Sequence, residues 1–131
     1  IRLKQPFVRQ VFKEIATQEG SAAGEINVIF CSDAFLLDMN RSYLNHDYMT
    51  DIITFDNSRE EVIAGELYIS MDRVRENAEK YGVTLRHELM RVMIHGILHL
   101  LGYHDKQVKE QKVMRARENH YLSLFEIEKS Y

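Results

Sequence analysis

The chain is best understood from one stretch, Arg91-Val-Met-Ile-His95-Gly-Ile-Leu-His99-Leu-Leu-Gly102-Tyr103-His104-Asp105. Seven of the ten residues from 92 to 101 are large and apolar, so a helix formed here is buried on most of its circumference. Thr84 opens this predicted helix, which runs to Leu101, and Gly102 ends it because glycine lets the chain turn back. The stretch therefore predicts a central buried helix followed by a turn.

Two histidines make this helix a candidate metal-binding element. His95 and His99 are four residues apart and lie on one helical face, where their nitrogens can share one ion. His104 and Asp105 follow the turn, and either can supply a third ligand. Three protein ligands leave one position open, as in catalytic zinc sites, where the ion lowers the pKa of water to about 7. We predict that these four residues contain the metal ligands and that the two helical histidines are catalytic.

The alternative for the two histidines is a place in the core, with each ring hydrogen-bonded to the protein. An unpaired buried polar group costs ~1–3 kcal/mol, and one shared ion accounts for both rings. Zinc peptidases of the His-Glu-x-x-His pattern use the Glu as general base, whereas this chain has Gly96. A glycine inside a helix costs ~1 kcal/mol relative to alanine, so Gly96 predicts close approach of another backbone or of substrate.

Periodicity outside this helix predicts an α+β (mixed α/β) domain around a small sheet. The predicted elements are a helix from Pro6 to Gly20, a strand over Glu25–Cys31, a helix from Ser32 or Asp33, strands over Thr50–Asp56 and Ala64–Ser70, a helix from Ser70 to Gly82, the central helix, and a final helix from Lys106 to beyond Tyr121. Residues 43–49 are predicted as a loop, and residues 1–131 as a single domain.

Composition narrows the class of protein. The 131 residues include one Cys, which excludes a disulfide-stapled secreted scaffold, so a cytoplasmic protein is expected. The net charge of −3 argues against binding of naked nucleic acid over the whole surface. No apolar run approaches the ~20 residues of a membrane span, so no membrane association is expected. The chain begins with Ile rather than Met, so we expect further residues before it.

Several motifs resemble one known family. His95-Gly-Ile-Leu-His99-Leu-Leu-Gly102-Tyr103 is similar to the motif His-Gly-x-Leu-His-Leu-x-Gly-Tyr-Asp-His of the YbeY family, the bacterial rRNA maturation endoribonucleases. Thr50–Phe55 and Gly65–Ser70 resemble two strands of that family, and Asn40 and Tyr43 stand where it has Leu-Asn-x-x-Tyr-Arg. The resemblance covers roughly residues 25–120.

The resemblance implies a zinc-bound endoribonuclease specific for single-stranded RNA. It implies work in 16S rRNA 3′-end maturation and ribosome quality control in the cytoplasm, with rRNA and ribosomal particles as partners and RNA rather than DNA as substrate. It also implies a mixed four-stranded sheet flanked by helices, with three His ligands in a cleft and a strand before the first helix. Since this chain starts close to the first helix, that strand is expected to be trimmed here.

Two departures from the family pattern affect the site. The family motif ends in Asp-His, whereas this chain has His104-Asp105, so alignment favours Asp105 as third ligand and ligand chemistry favours His104. A set of two His and one carboxylate also suits iron or nickel. The Arg after the family's Tyr is Leu44 here, which removes a guanidinium able to stabilise phosphorane charge, and His46 is a nearby candidate to replace it.

Two other functions stay open: a non-catalytic ribosome-assembly factor with a structural metal site, and a metallohydrolase of another class, such as a peptidase.

Three acidic residues are candidates for supporting roles around the site. Asp51 and Glu66 are candidates for orienting the ligands. Glu88 lies about 10 Å before His95 along the helix axis and is expected to orient or cap rather than to act as a base. Five cations form either a phosphate-binding surface or a solvated helix face interleaved with acidic residues: Arg73, Arg75, Lys80, Arg86 and Arg91.

Overall fold

The computed structural model describes residues 3–44 and 50–130. In chain order, the elements of these ranges are α1 (Gln5–Gln18), β1 (Ala22–Cys31), α2 (Asp33–Leu44), β2 (Ile52–Asp56), β3 (Val62–Ser70), α3 (Met71–Tyr81), α4 (Leu85–Leu100) and α5 (Val108–Leu124). The predicted order of helices and strands is therefore confirmed.

The loop predicted for residues 43–49 is partly wrong. Tyr43 and Leu44 form the end of α2, because the helix continues past the point where the apolar periodicity of the sequence fades. The rest of that loop, including His46, lies outside the described residues.

The sheet has β3 as its central strand, with β1 parallel and β2 antiparallel to it. A small mixed sheet was predicted and is confirmed, but the prediction of four strands is wrong for the described part of the chain, which has three. The resemblance to the family implied a further strand before the first helix. Here only Leu3 and Lys4 are described before α1, too few for a strand of the usual ~3–10 residues.

Individual residues determine where the helices near the site begin and end. Ser70 and Thr84 accept hydrogen bonds from backbone N–H groups in the first turns of α3 and α4, which caps both helices. Gly102 adopts a φ of 99° just after α4, a left-handed conformation that glycine adopts without steric cost. The chain can therefore leave α4 in a sharp turn and bring the following residues back to the helix.

The buried helix α4 lies at the centre of the core, as predicted. It packs against β2, β3, α1, α3 and α5, and its buried partners include Ile15 of α1, Leu67 of β3, Val74 of α3 and Tyr121 of α5. Packing on so many sides holds the backbone of α4 rigidly, which a site built on side chains of this helix requires. Among the described residues, no helix combines the length and apolar character that a bilayer span requires.

Candidate metal centre

Three ligand atoms converge at the end of α4. The Nε2 atoms of His95 and His99 lie 3.0 Å apart. The Oδ2 atom of Asp105 lies 3.1 Å from Nε2 of His95 and 3.3 Å from Nε2 of His99. The turn at Gly102 returns Asp105 to the helix, so residues from two consecutive segments form one cluster.

The spacing of these atoms fits a single divalent ion. Zinc binds nitrogen and oxygen ligands at about 2.0–2.2 Å in a tetrahedron, which places any two ligand atoms about 3.3–3.6 Å apart. The three observed separations of 3.0, 3.1 and 3.3 Å approach that edge length. Small side-chain adjustments would complete the geometry. Two imidazoles and one carboxylate also suit iron, so the set does not select one metal.

The structure separates the two candidates for the third ligand. Asp105 is half-buried beside the imidazole pair, whereas His104 is exposed and lines a different surface cavity, together with Lys109 and Val113. The two side chains face different surroundings, so only Asp105 lies beside the histidines of the helix. The described residues therefore bring Asp105, and not His104, to His95 and His99.

Glu118 on α5 orients His95, a role that the sequence analysis missed. Its Oε2 lies 2.6 Å from Nδ1 of His95, and the residue is only 2% exposed. When Nδ1–H donates to this carboxylate, Nε2 keeps its lone pair for a metal, the usual arrangement around metal-binding histidines. One signal was available: Glu118 falls in the apolar stripe of α5 that also contains Met114, Tyr121 and Leu122, where a solvated carboxylate does not belong.

The environment sets the protonation of these groups. Burial lowers the pKa of His95, but the hydrogen bond to Glu118 and its negative charge outweigh burial and raise the pKa above its usual value. Burial and the nearby charge of His95 hold the pKa of His99 below its usual value. Burial raises the pKa of Glu118, but His95 and Arg91 outweigh it and lower the pKa. Glu118 is therefore ionised and offsets positive charge at the centre.

His99 is oriented by the turn rather than by a carboxylate. Its Nδ1 lies 3.0 Å from the carbonyl oxygen of Tyr103, so this nitrogen donates and Nε2 faces the cluster. The hydroxyl of Tyr103 donates to Oε1 of Glu19 at 2.6 Å. Glu19 follows the end of α1 and also accepts hydrogen bonds from Arg117 and Tyr121 of α5. The carbonyl that holds His99 is thus anchored to two other helices.

The hydrogen bonds that Glu19 accepts predict how the stability of the protein depends on pH. Burial raises the pKa of Glu19, but hydrogen bonds from Tyr103, Tyr121 and Arg117 outweigh burial and lower the pKa below its usual value. The folded state then favours the carboxylate, so its contribution to stability is present above pH 4.5 and is lost as pH falls through the lower folded pKa. We expect acid to reduce the free energy of unfolding less in Glu19→Gln than in the parent protein.

Urea denaturation at neutral and acidic pH measures this difference. Glu14→Gln, which removes the same charge from α1, is the matched control. Equal acid sensitivity of Glu19→Gln and the parent protein would contradict the assigned role.

Arg91 links the centre to two further carboxylates. This half-buried guanidinium donates to both carboxylate oxygens of Glu88 at 2.9 and 2.7 Å, to Glu118 at 3.1 Å and to Asp51 at 3.3 Å. Burial lowers the pKa of Arg91, but the three carboxylates outweigh burial and raise it. Asp51 and Glu88 therefore orient Arg91 rather than a metal ligand. Glu66 instead accepts from Asn57 at 2.8 Å, so the expectation that it orients the ligands finds no support in this contact.

The role expected for Gly96 is corrected by the packing of α4 on the sheet. A Cβ atom at this position would lie 2.9 Å from Cδ1 of Ile52 and 2.9 Å from Cδ2 of Leu67. Side chains of β2 and β3, rather than another backbone or a substrate, come close to this glycine. Position 96 faces the sheet, so a general base of the peptidase kind has no place there.

We expect Gly96→Glu, which restores the His-Glu-x-x-His pattern, to disrupt the fold. The new carboxyl group would enter the packed layer between α4 and the sheet. An unpaired charge there costs several kcal/mol, so the group would become protonated, and it would still be a buried polar group without a partner. Thermal denaturation should show a large loss of stability or no cooperative transition. Gly96→Ala is the control and should cost far less, because overpacking by one methyl group typically costs about 1–3 kcal/mol and alanine regains ~1 kcal/mol of helix propensity. A stable Gly96→Glu protein that hydrolyses peptides would contradict this interpretation.

The exposed cations close to the centre come from α5 rather than from α3 and α4. Arg73 pairs with Asp33 at 3.0 Å and with Glu76. Arg91 forms ion pairs with three carboxylates of its own. Neither arginine therefore supports the phosphate-binding surface considered from the sequence. Lys112 and Arg115 instead line a cavity of about 750 Å³ that also contains His95 and Asp105. This cavity leads from solvent to the candidate centre.

A mixed α+β fold with two histidines on its buried helix, and a carboxylate returned by the next turn, defines a hydrolase-type domain with a candidate metal centre. Residues 2–126 match the family model Endoribonuclease YbeY. The chain belongs to the YbeY endoribonuclease family, whose name denotes hydrolases that cleave RNA, and the resemblance noted in the sequence is confirmed.

Similar proteins cover nearly the whole chain. An Endoribonuclease YbeY of Flavobacterium psychrophilum is 45% identical over 99% of this chain and 92% of the relative. An Endoribonuclease YbeY of Cytophaga hutchinsonii is 52% identical over 89% of this chain and 82% of the relative. The solution structure of TM1509 from Thermotoga maritima superposes with a TM-score of 0.66 at 33% identity, covering 92% of this chain and 79% of that one.

Proposed function

We propose that this protein is a metal-dependent endoribonuclease, specific for single-stranded RNA, that acts in the cytoplasm in 16S rRNA 3′-end maturation and ribosome quality control. Family membership supports RNA cleavage. The observation that carries the metal dependence is the convergence of two Nε2 atoms and one carboxylate oxygen within 4.8 Å. In this proposal residues 1–131 act as one domain, zinc is the ion, and rRNA within ribosomal particles is the substrate.

The proposed roles of the side chains follow from their contacts. His95, His99 and Asp105 would hold the ion, which when bound supplies Lewis-acid chemistry for phosphodiester cleavage near neutral pH. Glu118 and the carbonyl of Tyr103 keep the two Nε2 atoms directed at the ion. Both rings are therefore preorganised, so little free energy is spent on ordering them when a metal binds.

Arg115 is the proposed replacement for the guanidinium that Leu44 does not supply. Its side chain is 58% exposed, and Nη1 lies 3.4 Å from Oε1 of Glu118, which in turn contacts His95 through its other oxygen. A guanidinium has five N–H donors in a planar fork that matches a phosphate. Arg115 is thus placed to bind a substrate phosphate at the edge of the centre.

Metal analysis and RNA cleavage by the purified protein test this function together. We expect a divalent ion in the parent protein and cleavage of single-stranded RNA, with neither duplex RNA nor single-stranded DNA cleaved. His99→Ala should lose the ion and the cleavage while keeping its helical content. His120→Ala, a change of an exposed histidine on α5, should retain both. Binding of RNA or ribosomal particles without cleavage by the parent protein would contradict the proposal and favour the non-catalytic assembly factor.

A further inference from the structure

A second cavity adjoins the candidate centre and has no role in the function described so far. Its volume is about 320 Å³, near the lower end of the ~300–1,000 Å³ usual for ligand sites. It shares Arg91, Arg115 and Asn119 with the larger cavity that contains His95 and Asp105. The two cavities are therefore neighbours separated by a few side chains of α4 and α5. The side chains used in the argument are Tyr81, His87, Arg115, Asn119 and Lys129.

His87 provides the observation that points to a ligand. The residue is 5% exposed and lines this second cavity. Its backbone N–H donates to Oγ1 of Thr84 at 3.0 Å, which fixes it in the first turn of α4. Among the described residues, no hydrogen-bond partner reaches its Nδ1 atom. The Nδ1 atom is itself covered by protein. Buried polar atoms without partners are uncommon in native proteins, and a rotation of the ring that exposed Nδ1 to the cavity would let a ligand supply the missing hydrogen bond.

The cavity also has cations at its rim. Lys129 is exposed, but its backbone is held in place, because its carbonyl accepts from the N–H of Thr84 at 2.8 Å. The neighbouring carbonyl of Glu128 accepts from Oγ1 of Thr84 at 3.0 Å. Arg115 lies between the two cavities and is 58% exposed. Two cations on one rim suit a phosphodiester backbone.

The remaining lining groups suit a nucleobase. Tyr81, the last residue of α3, is 58% exposed and offers a ring on which any base can stack. The amide of Asn119 offers hydrogen bonds to a base edge, and Nδ1 of His87 would add one once its ring had rotated towards the cavity. Phosphate-binding cations, a stacking ring and base-edge partners around a space of this size match one nucleotide.

We propose that the cavity lined by His87, Asn119 and Lys129 binds one nucleotide of the RNA strand, next to the nucleotide whose phosphate lies at the candidate metal centre. Tyr81 stacks on its base, and Arg115 contacts the backbone between the two cavities. The inference rests on the proposed RNA substrate and adds a specificity-determining site to it. The strand would then run from the centre across α5 towards the end of α3.

Fluorescence anisotropy with a short labelled single-stranded RNA tests this site. The measurement is made in a His99→Ala background, in which the RNA is not cleaved. Tyr81→Ala should weaken binding about fivefold or more, as loss of base–aromatic stacking does. Lys129→Ala should weaken it and reduce the salt slope by about one. His87→Phe, which removes the ring nitrogens and keeps a planar ring, should also weaken binding. Lys13→Ala, a lysine of α1 that lines neither cavity, should have no effect.

The outcomes separate this inference from the proposed function. Tyr81 and Lys129 are exposed, so their variants report binding even if His87→Phe fails to fold. Unchanged RNA affinity in both variants would overturn the nucleotide site, even where the parent protein cleaves RNA. Absence of RNA binding by His99→Ala itself would also overturn it. Weakened binding in the variants supports the site even where the parent protein shows no cleavage, a result that would contradict the proposed function alone.

Discussion

Asp105→Ala is expected to abolish metal binding and RNA cleavage, whereas His104→Ala should leave both nearly intact. Asp105 is the residue whose carboxylate lies 3.1 and 3.3 Å from the two Nε2 atoms, and His104 is exposed outside the cluster. Loss of a direct ligand should lower metal affinity by more than the ~10–100-fold typical of outer partners of a metal site. Competition with a chromophoric zinc chelator measures the affinity, and cleavage of single-stranded RNA measures the activity.

His104→Ala is the matched control, because it changes the adjacent residue of the same turn. Retention of metal by Asp105→Ala, with loss of metal from His104→Ala, would reverse the ligand assignment. Asp105→His adds a further test. It places a third imidazole at the same position, and we expect it to keep zinc, since three histidines are a ligand set of known zinc sites.

Glu118→Ala is expected to lower both the stability of the protein and the affinity of the site for metal. Removal of the carboxylate leaves Arg91 short of one of its buried partners and His95 without its Nδ1 acceptor. Breaking a buried ion pair in this way typically costs about 3–5 kcal/mol, and loss of the partner that orients a metal-binding histidine costs about 10–100-fold in affinity. Chemical denaturation and chelator competition measure the two effects.

A variant of equal size separates the two roles of Glu118. Glu118→Gln keeps the side-chain volume and one acceptor oxygen, so it should fold better than Glu118→Ala and still bind metal more weakly than the parent protein. Glu79→Ala, on the exposed face of α3, should change neither quantity. Parent-like stability and metal affinity in both Glu118 variants would show that the contact between Glu118 and His95 contributes to neither quantity.

Local patterns predicted the parts of the site that lie within one helical turn. The spacing of His95 and His99, the stop at Gly102 and the cap at Thr84 are properties of adjacent residues, and the structure has each of them where the pattern places it. Glu118 escaped prediction because it lies 23 residues from His95 in the chain. Its contact with His95 depends on how α5 packs against α4, which the periodicity of either helix alone does not specify.

The resemblance to a family led to one wrong detail and left one alternative open. Four strands were expected, and the described residues contain three. The order His104-Asp105 made both residues candidates for the third ligand, because alignment and ligand chemistry favoured different ones. The turn after Gly102 separates them in space, since it directs Asp105 to the imidazoles.

The sequence by itself determined the order of helices and strands, the burial of the central helix, the family, and the pair of histidines that the centre requires. These features depend on periodicity, capping and short spacing, which act between residues close in the chain. Only the tertiary structure decided that Asp105 joins the pair, that Glu118 and Tyr103 orient it, and that Gly96 faces the sheet. Each of those contacts depends on the relative placement of separate segments, and packing of the whole core sets that placement.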